Sequence, residues 1–145
     1  MSSSTTCTTP RNSYSTALEA SRGIELRIVK NRDGGVTARD FEPHIDKRTR
    51  IVSVAWVSNQ NGFCHDMRPI ADLAHAHGAL FYADAVQAAG MIQLDVQAAG
   101  VDALCSGSYK WLMSEFGVAP AKPLRLWSIR SRSSREAGRL TIRRI

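Results

Sequence analysis

Short apolar segments separated by polar stretches mark the middle of the chain, and three of them predict buried strands. The longest covers residues 51–57, where Ser53 alone interrupts a run of isoleucine, valine, alanine and tryptophan. A nearly continuous apolar run of this length is typical of a strand covered on both faces of a parallel sheet. Residues 79–83 and 102–105 predict two further buried strands. The pattern therefore indicates three neighbouring strands in one sheet.

The segment between the first two of these strands has the period of an amphipathic helix. Asp66 is placed to cap this helix, and Gly78 is placed to end it. Its apolar residues recur at spacings of three and four: Met67, Ile70, Leu73 and Ala74. Strand, helix and strand in this order are typical of right-handed βαβ units. We therefore predict an α/β fold, with a mostly parallel sheet and flanking helices.

A half-exposed strand and a capped helix are predicted further upstream. Residues 24–28 alternate apolar and charged side chains, which favours a strand with one solvated face. Asp33 and the two glycines after it indicate a turn. Thr37 with Asp40 resembles a capping box for a helix that extends to about residue 45. Pro43 conflicts with a continuous helix there and predicts a kink or a shortened helix.

Polar residues follow the predicted strands at the points where the strands end. They are Asn59, Asp84 and Lys110. In parallel sheets, ligands bind at the carboxyl ends of the strands, so this placement predicts a binding site. An aspartate and a lysine at neighbouring strand ends are two groups that a pyridoxal 5'-phosphate (PLP) site needs. The lysine forms a Schiff base with the aldehyde, and the aspartate keeps the pyridine nitrogen protonated.

The segments around these residues resemble the class V aminotransferases. These are fold-type-I PLP enzymes that include cysteine desulfurases, selenocysteine lyases and isopenicillin-N-epimerase-like proteins. The resemblance covers residues 12–120 and is strongest over 51–119. The order and spacing of several short motifs carry it: Val57-Ser58-Asn59, Leu73-Ala74-His75-Ala76-His77-Gly78-Ala79, Asp84-Ala85-Val86-Gln87-Ala88-Ala89-Gly90, Leu94-Asp95-Val96, Gly100-Val101-Asp102 and Tyr109-Lys110-Trp111-Leu112.

The resemblance implies a role for each polar residue at the strand ends. Lys110 is implied to be the Schiff-base lysine and the proton shuttle at the substrate α-carbon. Asp84 is implied to pair with the pyridinium nitrogen of PLP. Gln87 is implied to contact the phenolic oxygen or the Schiff-base region. Asn59 is implied to lie near the same edge of the ring or near the substrate carboxylate.

The segment just before Lys110 departs from the family pattern in two places. Family members often carry serine three residues before the lysine, where this chain has Gly107. Ser106 or Ser108 is therefore the implied phosphate contact. Tyr109 stands where the family often has histidine, which points toward the epimerase-like branch.

The resemblance also predicts how the chain is divided. Residues 12–120 are expected to form part of the PLP-binding large domain. Residues 1–11, rich in Ser and Thr, are expected to be disordered. Residues 121–145 hold eight of the 19 Lys and Arg residues and one of the 13 acidic residues, so the rest of the chain is nearly neutral. This Arg-rich tail does not resemble the family and is expected to be disordered.

The sequence thus predicts a PLP-dependent domain that acts on an amino acid by transaminase, epimerase or lyase chemistry. Because the phosphate loop and the smaller C-terminal domain of the family are not recognisable, the chain is expected to be truncated and inactive alone. A homodimer is implied for the complete family. One alternative is a non-catalytic remnant that pairs with a related full-length subunit. A second is a nucleic-acid binder acting through the tail, although Trp127 is its lone aromatic residue, so nucleic acid is not the expected partner.

The cysteines, the histidines and the hydropathy argue against metal sites, disulfide frameworks and membrane helices. The three cysteines form no CxxC pair, which argues against a zinc site or a disulfide framework and favours the cytoplasm. His75 and His77 are two residues apart on the predicted helix and point to different faces, so no metal site is predicted. No apolar run approaches the ~20 residues of a membrane helix, so no membrane partner is expected.

Overall fold

The structure of the protein is a computed structural model that describes residues 3–6, 25–115 and 121–123. In chain order its elements are β1 (Ser3–Thr6), β2 (Glu25–Ile28), α1 (Ala38–Phe41), a 3-10 helix (Glu42–His44), β3 (Thr49–Ala55), α2 (Met67–Ala76), β4 (Leu80–Asp84), β5 (Ala103–Cys105) and β6 (Ala121–Pro123).

The strands form one sheet in the order β2-β1-β3-β4-β5-β6. Neighbouring strands from β2 through β5 are parallel, whereas β6 runs antiparallel to β5. In the register of β3 and β4, Val52 lies beside Phe81, and Ala55 lies beside Asp84. Asp84 in turn lies beside Cys105 of β5. The predicted α/β class with a mostly parallel sheet is therefore confirmed.

The segments near both ends of the chain differ from the sequence prediction. Disorder is predicted over residues 1–11, but Ser3–Thr6 forms β1 between β2 and β3. Threonine suits an extended backbone, and the slot between two parallel strands offers hydrogen-bond partners on both sides. The Arg-rich tail is predicted to be disordered, but its Ala121–Pro123 forms the edge strand β6. The other residues of both segments lie outside the described ranges.

The core lies between α2 and one face of the sheet. Ile70, Ala71 and Ala74 of α2 are fully buried, as are Phe81 and Ala83 of β4. This is the apolar side that the spacing of three and four predicts, although Leu73 is only partly buried. Gly78 follows α2 with φ of +74°, a conformation that glycine adopts without strain and that ends the helix as predicted.

The capped helix upstream is confirmed, and it is short. Thr37 and Asp40 form the predicted capping box, and the Asp40 carboxylate accepts the Thr37 backbone N–H at 2.8 Å. These hydrogen bonds lower the pKa of Asp40. The α-helix ends at Phe41, and the chain continues as a 3-10 helix that contains Pro43. The proline ring explains the change, because it does not fit the interior of an α-helix.

The buried carboxylate of Asp102 forms hydrogen bonds at the amino end of β4. Asp102 is 6% exposed, and its Oδ2 accepts the Phe81 backbone N–H at 2.8 Å. The same oxygen lies 2.7 Å from Nε2 of His75, in the last turn of α2. Asp102 therefore joins α2, β4 and the start of β5 on the edge of the sheet opposite to the carboxyl ends.

No helix within the described ranges is long and apolar enough to cross a membrane.

Candidate active site

Asp84 is the last residue of β4, and its side chain is half-buried on the sheet face opposite to α2. Strand alternation gives this direction, because the preceding Ala83 is buried in the core. The Asp84 carboxylate accepts the Val86 backbone N–H through Oδ1 at 2.9 Å. No described residue supplies a hydrogen bond to Oδ2. One carboxylate oxygen thus holds the turn after β4, and the other is left for a ligand.

Lys110 lies in a tight loop after β5, and its side chain is half-buried. The Lys110 carbonyl accepts the Met113 N–H at 3.1 Å, and the Ser108 carbonyl accepts the Ser114 N–H at 3.1 Å. Met113 has φ of +52°, a left-handed conformation that is strained for a residue with a side chain. The chain therefore folds back sharply just past the lysine.

Two contacts join this loop to the segment that follows Asp84. Trp111 donates its indole N–H to Oε1 of Gln87 at 3.3 Å. Gly90 lies against the Trp111 backbone so closely that a Cβ at position 90 would be 2.9 Å from the Trp111 carbonyl carbon and oxygen. The loop that carries Lys110 and the segment that follows Asp84 thus contact each other through Trp111, Gln87 and Gly90.

Ser106 and Ser108 are both buried, and their hydroxyl groups face backbone carbonyls. The Ser106 hydroxyl donates to the Ala85 carbonyl at 3.3 Å, and the Ser108 hydroxyl donates to the Glu115 carbonyl at 3.2 Å. A phosphate group accepts hydrogen bonds, so either hydroxyl must rotate before it can donate to a phosphate. Their role in phosphate binding stays a prediction.

Gly107 and Tyr109, the two departures from the family pattern, are linked in space. A Cβ at position 107 would lie 2.6 Å from Cε1 of the Tyr109 ring. The ring thus occupies the space that a serine side chain at position 107 needs. With the Tyr109 ring in this position, glycine at 107 fits without a shift of the ring.

Asn59 is exposed in a loop that contacts the turn at Gly34 and Gly35. The loop is closed by a bridge between Val57 and Cys64. Asn61 donates its side-chain N–H to the Gly34 carbonyl at 2.8 Å, and the Phe63 ring packs on the neighbouring glycine of the same turn. The ends of β3 and β4 are joined by the Trp56 N–H, which the Asp84 carbonyl accepts at 2.8 Å.

Tyr82 and Cys105 form a pair one step deeper on the face that carries Asp84. The Tyr82 hydroxyl and the Cys105 thiol are hydrogen-bonded to each other. Burial raises the pKa of both groups. Cys105 is thus a protonated thiol beside Asp84, and it is partly buried, whereas the sequence predicts a buried strand here.

His65, just before α2, is a buried histidine in the loop that leads into this helix. It is 8% exposed, and its ring packs against Phe63 with 5.0 Å between ring centroids. Burial lowers the pKa of His65, while hydrogen bonds to the backbone of Trp56 and Ala55 oppose that shift. Its Nδ1 is buried without a hydrogen-bond partner among the described residues.

We expect His65 to make the protein less stable below neutral pH. Above about pH 6.5, histidine is neutral in both the folded and the unfolded chain. Below this pH the unfolded chain binds a proton that folded His65 resists, so stability falls as pH decreases toward the lowered pKa. One such proton contributes at most about 1.4 kcal/mol per pH unit.

His65→Asn tests this expectation by urea unfolding between pH 8 and pH 5. The variant is expected to lose less stability than the wild type over that range, because the other titratable groups are common to both proteins. Equal losses in the two proteins would show that His65 does not contribute to the pH dependence.

The two helix histidines have separate partners, as their predicted positions on different faces imply. His75 pairs with Asp102, and Nδ1 of His77 lies 3.0 Å from the Leu73 carbonyl. Within the described ranges, no group of three or more His, Cys, Asp or Glu residues is arranged to hold a metal ion.

Comparisons with known proteins agree with this fold. The model of the family described as Aminotransferase class-V matches residues 12–119. A probable cysteine desulfurase of Methanothermobacter thermautotrophicus is 36% identical over 97 residues, which are 66% of this chain and 24% of that protein. An uncharacterised aminotransferase of Bacillus subtilis is 33% identical over 101 residues, which are 70% of this chain and 27% of that protein.

A solved structure has the same arrangement of strands and helices. The apo cysteine desulfurase of Thermococcus onnurineus superimposes with a TM-score of 0.71 and 27% sequence identity. The match covers 81% of this chain and 30% of the other. The fold is that of a part of a fold-type-I, PLP-dependent large domain.

The chain belongs to the class V aminotransferase family, which confirms the resemblance in the sequence. PLP is the cofactor of this family. The chain spans about a quarter of the length of the curated relatives described above.

Proposed function

We propose that this chain is a PLP-binding domain that acts on an amino acid, with Lys110 as the residue that holds the cofactor. The observation that carries the proposal is the placement of Asp84 and Lys110 after adjacent parallel strands, with Gln87 and Trp111 joining the two loops. Family membership supports the same function. Transamination, epimerisation and lyase chemistry all begin from such a site.

The groups at this edge of the sheet suit the cofactor. Asp84 offers a half-buried carboxylate with one oxygen left over, and Lys110 offers a half-buried primary amine. A carboxylate near the pyridine nitrogen favours its protonated form. PLP, when bound, supplies an aldehyde that captures amines and a ring that accepts electrons.

The proposed roles follow from the chemistry of each side chain. Nζ of Lys110 holds the cofactor and then moves the proton at the substrate α-carbon. Asp84 keeps the pyridine nitrogen protonated, and Gln87 hydrogen-bonds the phenolic oxygen edge. Asn59, at the exposed part of its loop, is proposed to face the ring edge or the substrate carboxylate. Ser106 and Ser108 stay candidates for the phosphate.

The deciding experiment is PLP titration of the full chain, followed by borohydride reduction and peptide mass mapping. Four lysines are present in the chain, and Lys30 and Lys47 are exposed. We expect saturable labelling on Lys110, with at least about tenfold loss of labelling in Lys110→Ala because no other amine replaces Nζ. Lys47→Ala is the matched control and is expected to label like the wild type.

Equal labelling of several lysines, or unchanged labelling in Lys110→Ala, would contradict the proposed function. Circular dichroism of each variant separates loss of the amine from loss of the fold. Substrate screening with amino acids then distinguishes the reaction types.

A second candidate function, supported by exposed apolar side chains beside Lys110, is pairing with another subunit. Met113 is 90% exposed and Met91 is 59% exposed, and Trp111 and Leu112 lie next to them at more than 40%. Apolar groups gathered in this way favour an interface. The partner is a second copy of the chain or a related full-length subunit. Sedimentation velocity tests this: a monomer at high concentration, alone and mixed with a full-length relative, would contradict it.

A further inference from the structure

Trp111 makes a hydrogen bond to Gln87 through its indole N–H. It is 44% exposed, so it is not a core residue. Its indole N–H lies 3.3 Å from Oε1 of Gln87. An indole N–H donates hydrogen bonds and never accepts them, so Trp111 selects the oxygen end of the Gln87 amide.

The backbone around Trp111 keeps the indole in this position. Gly90 has φ of +85°, and the absent Cβ leaves room for the Trp111 carbonyl at a distance no side chain permits. The same Cβ would lie 3.1 Å from Cδ2 of Leu112. Trp111 also lies within the turn that Lys110 and Met113 close. The Trp111 backbone is thus packed against the loop that contains Gln87, and this packing keeps the indole beside the Gln87 side chain.

We propose that Trp111 is a positioning residue that fixes the Gln87 amide with its oxygen toward the Trp111 indole and its NH₂ group available as a donor. Among the described residues, none supplies an acceptor to that NH₂ group. Gln87 therefore presents a hydrogen-bond donor to an anionic oxygen of a ligand held between Asp84 and Lys110. This inference rests on the proposed function, because Trp111 acts through Gln87, which belongs to the same proposed PLP site.

The first test needs no cofactor. The chain has three tryptophans, so a ¹⁵N-labelled sample gives three indole N–H resonances, and Trp111→Phe assigns one of them. Gln87→Met removes the acceptor and keeps the length of the side chain. We expect the Trp111 indole proton to move upfield and to exchange with water at least about threefold faster, because a hydrogen bond is lost. Gln93→Met, at an exposed neighbouring position, is the matched control.

The second test measures PLP dissociation constants in a double-mutant cycle. Trp111→Phe keeps an aromatic ring and removes the N–H donor, so we expect about 3- to 10-fold weaker PLP binding. In the Gln87→Ala background the same change is expected to have no further effect. Gln87→Glu keeps an acceptor for Trp111 but lacks the donor, so it is expected to weaken PLP binding while the indole resonance stays hydrogen-bonded.

The outcomes separate the two proposals. An indole resonance that does not respond to Gln87→Met, or additive effects in the cycle, would overturn the positioning role of Trp111. A wild-type chain that traps no PLP on Lys110 would overturn the proposed function, whatever the indole resonance shows. Coupled effects together with a Lys110 adduct would support both.

Discussion

Asp84→Asn is expected to weaken PLP binding by roughly 10- to 100-fold without unfolding the protein. The substitution removes the charge that we propose pairs with the pyridinium nitrogen, and a charge-assisted hydrogen bond contributes about 1.5–3 kcal/mol. The asparagine oxygen still accepts the Val86 N–H that Oδ1 of Asp84 accepts at 2.9 Å. Fluorescence titration with PLP gives the affinity, and thermal melting of the cofactor-free chain gives the stability.

Two further variants separate the role of the Asp84 charge from that of its turn. Asp84→Ala also removes the bond to Val86, so it is expected to cost about 1 kcal/mol of stability in addition to the loss of affinity. Asp95 holds a similar turn, where its Oδ1 accepts the Ala98 N–H at 2.9 Å. Asp95→Asn is therefore the matched control and is expected to bind PLP like the wild type. Wild-type affinity in Asp84→Asn would rule out the pyridinium role.

Asp102→Ala is expected to destabilise the fold by about 2–4 kcal/mol. The change leaves the fully buried amide of Phe81 without its acceptor and takes away the partner of His75. An orphaned buried donor costs about 1–3 kcal/mol, and loss of the hydrogen bond to His75 adds to that cost. Urea unfolding followed by circular dichroism measures the difference.

The cost of Asp102→Ala is expected to come from the amide of Phe81 more than from the histidine. His75 is partly exposed, so His75→Ala is expected to cost about 1 kcal/mol or less. Asp102→Asn keeps an acceptor for the Phe81 amide. Its loss of stability is therefore expected to be less than half of the loss in Asp102→Ala. If His75→Ala proved as costly as Asp102→Ala, the contact between His75 and Asp102 and not the bond to the Phe81 backbone would dominate.

The sequence predicted the elements that are determined by apolar periodicity and helix capping within one segment of the chain. The apolar run that forms β3 and the spacing of α2 were confirmed, because burial on one side of an element shows in its own periodicity. The structure begins and ends β3 two residues before the predicted bounds. The Thr37 capping box was confirmed for the same reason, and Pro43 marks the change to a 3-10 helix.

Contacts between distant segments were beyond what the sequence could predict. β1 is made of serine and threonine, and it forms a strand because β2 and β3 offer partners on both sides. The bond between Trp111 and Gln87 joins residues 24 positions apart, and the bond between Asn61 and Gly34 joins residues 27 positions apart. Asp84 ends β4, and Gln87 and Lys110 follow the ends of β4 and β5, so the apolar runs of these two strands predicted where the three residues lie along the chain.

The place of β1 inside the sheet has a consequence for how the protein is made. β1 precedes both of its neighbours along the chain, since β2 begins at Glu25 and β3 begins at Thr49. At ribosomal rates of about 5–20 residues per second, the strand waits for several seconds before its second neighbour has been synthesised. During that interval its backbone groups are open to pairing with nascent chains on the same messenger. Slower translation over residues 25–55 is therefore expected to increase co-translational aggregation.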